Sequence, residues 1–145
     1  VNELKRLELS PGSIIVELTE SCKISNYDGA IEFVNFLRSN GIAFALDDFG
    51  TGYSSFEVLK NVPTDWIKLE HHYVSSIKNS VKDRNILLHI IDLCHSLGIK
   101  VCAEGIEDEE VCESMRERNV EFLQGYYISK PLSASQFEER FLTKI

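Results

Sequence analysis

A chain of 145 residues with 43% apolar side chains is the size of one domain, and such a chain buries roughly 70% of its unfolded surface in a real core. Its 23 acidic residues outnumber 15 basic ones for a formal charge of -8, which disfavours general attraction to nucleic acid or to an anionic membrane. The four cysteines, Cys22, Cys94, Cys102 and Cys112, show no CxxC spacing. No run approaches the roughly 20 apolar residues of a membrane span, and no signal-like segment opens the chain. Reduced thiols and a cytoplasmic location are therefore expected. Any membrane anchor of a larger protein would lie outside this chain.

In chain order, IIVEL near Ile14 reads as a first buried strand, and Asp28 opens a helical pattern that stops at Gly41. IAFALD near Ile42 is the second strand, followed by Ser54 and Glu57 at capping-box spacing. WIKLE near Trp66 is the third strand. A long helix follows from about Asp83 to Gly98, with Ile86, Leu87, Ile90, Leu93, Cys94 and Leu97 along one apolar stripe. KVCAE near Lys100 is the fourth strand, and a helix runs from Asp108 to Asn119. EFLQG near Glu121 is the fifth, with a last helix starting at Ser133 or Ser135. This alternation predicts an α/β fold of parallel strands joined by crossover helices, one domain over residues 1–145.

The chemistry lies in how the strands end. Buried parallel strands should be nearly all apolar, yet these close on Glu17, on Asp47 and Asp48, on Lys68, on Glu104 and on Gln124. In open α/β sheets and barrels, ligands sit at the carboxyl ends of the strands, so this rim is where a site belongs. The bland reading is that strands stop at polar loops. If Glu17, Asp47, Asp48 and Glu104 converge with only Lys68 among them, either some are protonated or divalent cations neutralise them. All-oxygen donors favour Mg2+ or Mn2+. Asp47 and Asp48 in succession would suit one bridging and one terminal ligand of an ion pair, the arrangement that hydrolyses phosphate esters. Gly50 and Gly52 would let the following loop turn tightly beside a ligand, with Thr51, Ser54 and Ser55 as donors. An ordinary strand-to-helix turn is the alternative. The triplet Asp48, Phe49, Gly50 spells a kinase magnesium motif, but no HRD loop or Gly-rich nucleotide loop precedes it.

VELTES, FALDDFGTGYSS, IKLE, AEGIEDEE and FLQGYYISKP together resemble the EAL domain family, barrel phosphodiesterases that linearise cyclic di-GMP, in the family's order and across essentially the whole chain. The resemblance implies a (β/α)8 TIM-type barrel and two Mg2+ or Mn2+ ions. It further implies Glu17 and Asp47 as ligands of one ion, and Asp48 and Glu104 as ligands of the other. Lys68 would hold the attacking water, Glu20 would steady the DDFGTGYSS loop, Gln124 would lie beside the water, and Glu107 would be the second acid of the family's EGVE motif. Thr51, Gly52, Tyr127 and Lys130 are candidate substrate contacts. Tyr126 and Tyr127 could stack on guanine, with core or loop packing as the alternative, and Lys130 could meet phosphate or only solvent.

Departures from the family pattern qualify the expected activity. No Glu-Ala-Leu strand occurs, nor the later strand that carries an asparagine ligand, and Asn2 lies too close to Glu17, in an apparent helix, to replace it. A whole barrel needs roughly 200 to 250 residues, so the expectation is the C-terminal part of the domain, with the N-terminal strands absent. Opened sheet edges need covering; a second copy of the chain is expected there, with a separate fragment or another protein as alternatives. IKLE in place of IKID puts Glu70 on the face of Lys68, and Trp66 on that face would fill the interior. His71 and His72 would then point to opposite faces and serve packing or surface, as would His89 and His95. Three functions follow: a cyclic di-GMP phosphodiesterase, weak or inactive as this polypeptide; an inactive member that binds cyclic di-GMP or a protein; and a barrel enzyme of unrelated metal chemistry.

Overall fold

The computed structural model describes residues 2–19, 24–50 and 55–142. Five parallel strands form one sheet in the order β1 (Ile15–Thr19), β2 (Ala43–Phe49), β3 (Trp66–Leu69), β4 (Lys100–Ala103) and β5 (Phe122–Leu123). Helices α1 (Asn2–Arg6), α2 (Tyr27–Ser39), α3 (Ser55–Asn61), α4 (His71–Ser75), α5 (Val81–Ser96), α6 (Glu109–Glu117) and α7 (Ala134–Phe137) alternate with them. All five expected strands are present, each next to its sequence neighbour, as in one arc of a barrel.

Strand alternation divides the sheet into two faces. Phe44, Leu46, Ile67, Leu69, Val101 and Ala103 point outward and are buried under the helices. From α5, Leu87, Ile90, Ile91 and Cys94 join this core, while Ile86, Leu93 and Leu97 of the expected stripe stay exposed. The opposite, concave face carries Ile15, Ala45, Trp66 and Phe122 at its amino end and opens on a cavity of about 420 Å3. Trp66 thus lies on the interior face, stacked at 4.8 Å against Phe122.

Helix starts are set by local caps, two of them upstream of the expected residue. Asn26, not Asp28, caps α2 by accepting from Gly29 N at 3.1 Å. Ser80, not Asp83, caps α5 by accepting from the Asp83 amide. Asp108 caps α6, and Ser133 forms a full capping box with Gln136. Ser54, the expected cap of α3, lies outside the described residues.

The largest correction falls after β3. The strand ends at Leu69, and Glu70 caps α4, its carboxylate accepting from His72 N at 2.8 Å. Glu70 therefore does not share a strand face with Lys68, and His71 and His72 are successive residues of a helical turn rather than of a strand. An N-cap carboxylate satisfies an amide left open at a helix start, which is why the chain can turn here.

Candidate active site at the carboxyl rim

The site begins with an irregularity in β2. Leu46 pairs with Ile67 and Phe49 with Leu69, so two residues, Asp47 and Asp48, oppose the single residue Lys68. Neighbours on a regular strand face opposite sides of a sheet. A bulge removes that restriction, and Asp48 takes a left-handed backbone conformation, φ 57°, which aspartate tolerates better than most residues. Both carboxylates thereby reach one place. Oxygens of Asp47, Asp48 and Glu104 lie within 4.8 Å of one another, all three side chains half-buried.

Lys68 stands among the acids. Its Nζ lies 2.8 Å from Glu104 Oε1, 3.0 Å from Glu17 Oε2 and 3.1 Å from Asp47 Oδ1, uniting β1, β2, β3 and the end of β4. The lysine side chain is only 14% exposed. Burial by itself would lower its pKa, but the hydrogen bonds to Glu104, Glu17 and Asp47 outweigh that and raise it above the usual lysine value. One ammonium thus serves three carboxylates, with Asp48 beside them. This donor set fits a hard divalent cation: all oxygen, clustered and partly desolvated. Cys102, opposite Lys68 in register, has its thiol pushed up to about 11 by burial, then by Glu104, so it offers a neutral thiol rather than a thiolate ligand.

The remaining expected residues divide into three groups. Gln124 lies just past β5, and its carbonyl accepts from Ile106 N at 3.0 Å. It lines both the inner cavity and a second cavity of about 420 Å3 with His71, Glu107, Tyr126 and Ser129. Glu107 Oε1 is 3.7 Å from His71 Nε2. Lys130 packs its ammonium over the Tyr126 ring at 5.6 Å. Tyr127 is set apart from the acids: its hydroxyl is perturbed upward by burial and then by Glu109 and Cys112 of α6. Glu20, Thr51 and Gly52 lie outside the described residues. His71 is the rim residue that sequence reading missed, because α4 is too short to carry a helical period. The signal available was Glu70 as a cap.

The EAL domain family matches residues 1–131. The chain belongs to the EAL domain family. It is 33% identical over 132 residues to the cyclic di-GMP phosphodiesterase PdeB of Shewanella oneidensis, covering 91% of this chain and 15% of that protein. The EAL domain of Mycobacterium smegmatis DcpA superposes with a TM-score of 0.89 at 30% identity, over 95% of this chain and 62% of that one. A standalone EAL protein from Vibrio cholerae O395, solved in a c-di-GMP-bound form, gives a TM-score of 0.81 at 28% identity, over 90% of this chain and 55% of that one. This chain therefore spans less than two thirds of each of these relatives. EAL domains are TIM barrels, and the five-stranded arc with its polar carboxyl rim is that architecture in part. No helix among the described residues is long and apolar enough to cross a membrane.

Proposed function

We propose that this chain supplies the acidic rim of an EAL-type phosphodiesterase that hydrolyses cyclic di-GMP to the linear dinucleotide with two Mg2+ or Mn2+ ions. The observation that carries this reading is the convergence of Glu17, Asp47 and Glu104 on Lys68 Nζ, with Asp48 brought alongside by the bulge. Glu17 and Asp47 would hold one cation, Asp48 and Glu104 the other. Bound there, divalent ions supply Lewis-acid activation and neutralise charge at the phosphoryl group. Lys68 keeps its proton and donates to the attacking water, Gln124 flanks that water, and Glu107 closes the rim beside His71. Glu20 steadies the loop after β2. Thr51 and Gly52 contribute donors there, Lys130 contacts phosphate, and Tyr127 stacks on a guanine. Water adds across one ring P–O bond, its hydroxyl going to phosphorus and its proton to the departing sugar oxygen.

The polypeptide alone is proposed to be weak or inactive, since it contains neither a Glu-Ala-Leu strand nor the family's asparagine ligand. That same fact favours a second reading, a non-hydrolytic module that binds cyclic di-GMP or a protein. Incubation with cyclic di-GMP and Mg2+ or Mn2+ separates the two. Slow formation of the linear dinucleotide supports the first, binding without turnover supports the second, and neither binding nor turnover contradicts both. The concave face, with Phe122 55% and Ile15 39% exposed, and the outer strands β1 and β5, which pair with no further strand among the described residues, are further proposed to be covered by a second copy of the chain. A strictly monomeric, dilution-insensitive species in sedimentation would count against that.

A further inference from the structure

Helix α4 lies alongside both halves of the acid cluster, facing a glycine in each. Side chains two apart on a helix point roughly 200° apart around its axis, and His71 and Tyr73 accordingly reach two different rim loops. The Tyr73 ring stands 3.7 Å from where a Cβ of Gly50 would lie, two residues beyond Asp48. The His71 ring fills the place that a Cβ of Gly105 would take, directly after Glu104. Gly50 and Gly105 have φ of 104° and 66°, a region that side chains other than glycine's rarely adopt. Neither ring is core: His71 is 47% exposed on its side chain, and Tyr73 only packs against the core margin.

We propose that His71 and Tyr73 are positioning residues that make α4 a spacer, setting the distance between the Asp47–Asp48 pair and Glu104. Like charges crowded at a rim push their loops apart, and two rings on one capped helix turn hold those loops at a fixed separation before any cation arrives. The brace acts on backbone next to the acids, so it prepares the site without touching the ion. The inference rests on the reading that the acids hold divalent cations, and its test separates the two ideas.

The experiment compares Tyr73→Ala and His71→Ala with the ring-retaining Tyr73→Phe and His71→Phe. Leu59→Ala serves as a control that removes partly buried packing. Amide hydrogen exchange is measured by NMR at Asp48, at Glu104, whose N–H donates to Leu69 O, and at Ile106, whose N–H donates to Gln124 O. Mn2+ affinity is measured alongside. Tyr73→Ala is expected to speed exchange at Asp48, and His71→Ala at Glu104 and Ile106. Each should weaken Mn2+ binding about 10- to 100-fold, as loss of outer-shell support does at other metal sites. Both phenylalanine variants should behave like wild type, which would also show that the His71–Glu107 ion pair is not the cause. Unaltered exchange in both alanine variants, or an equal loss of Mn2+ affinity in Leu59→Ala, overturns the proposal. A wild-type chain that takes up no Mn2+ refutes the metal reading instead, and the brace is then decided by the exchange rates alone.

Discussion

At the amino end of the sheet, Asp65 and Glu121 sit one residue ahead of β3 and β5, and each reaches sideways to the second residue of the neighbouring strand. Asp65 accepts from Phe44 N at 2.9 Å and pairs with Arg38 of α2 at 2.6 Å. Glu121 accepts from Val101 N at 2.8 Å and lies 3.4 Å from His95 of α5. The two clips repeat one plan at nearly the same chain spacing, 21 and 20 residues. Each acid has its own backbone donor and its own basic side chain from the helix that precedes the clipped strand. At the carboxyl end the plan is reversed: Glu17, Asp47 and Glu104 share one ammonium, and an acid-to-amide bond there, from Asp48 N to Asp47 Oδ1 at 3.0 Å, stays within the cluster. The same residue type is closed and structural at one end, and crowded and undercompensated at the other. Charge without its own partner is what a ligand can use.

This contrast can be broken by substitution. The largest effect is expected at Lys68. Lys68→Met leaves three facing carboxylates without their cation and should lower stability by about 3 kcal/mol in EDTA, with Mg2+ restoring much of it. Equal melting temperatures with and without Mg2+ would contradict the account. Next comes Asp65→Ala, which orphans Phe44 N–H and Arg38 and should cost about 2 kcal/mol with Mn2+ affinity unchanged. Glu121→Gln keeps an acceptor for Val101 N–H and loses only the charge facing His95, so about 1 kcal/mol or less is expected in denaturant titration. The smallest change in stability is predicted for Asp48→Asn, within about 0.5 kcal/mol, although it should lose Mn2+ binding. A reversal of the last two in urea melts would erase the distinction between the ends.

Much of this was legible in the sequence because strand chemistry is local. Five apolar runs closing on polar or charged residues pointed to five parallel strands and a polar rim; Lys68, Glu104 and Gln124 lie at or just past their strand ends, while Glu17 sits in the middle of β1. What escaped notice was set by longer-range or irregular geometry. Arg38 and Asp65 meet across 27 residues, which no periodicity reveals. The bulge that turns Asp47 and Asp48 to one side leaves no pattern, since a regular strand would have separated them. Helix α4 escaped because five residues do not complete a helical period, and a glutamate cap is less expected than Ser, Thr, Asp or Asn. In α5, the predicted stripe shares Leu87, Ile90 and Cys94 with the buried face, whereas the sheet adds Ile91 and leaves Ile86, Leu93 and Leu97 exposed.

The claim on which the rest depends is that the acids at the carboxyl rim act together on divalent metal. Electron paramagnetic resonance of free Mn2+, titrated against the wild-type chain and against Asp47→Asn, Asp48→Asn and Glu104→Gln, measures this directly. The account predicts saturable uptake by the wild type and a large loss in each variant while all remain folded. No saturable uptake by the wild type, or uptake unchanged by all three substitutions, would contradict it.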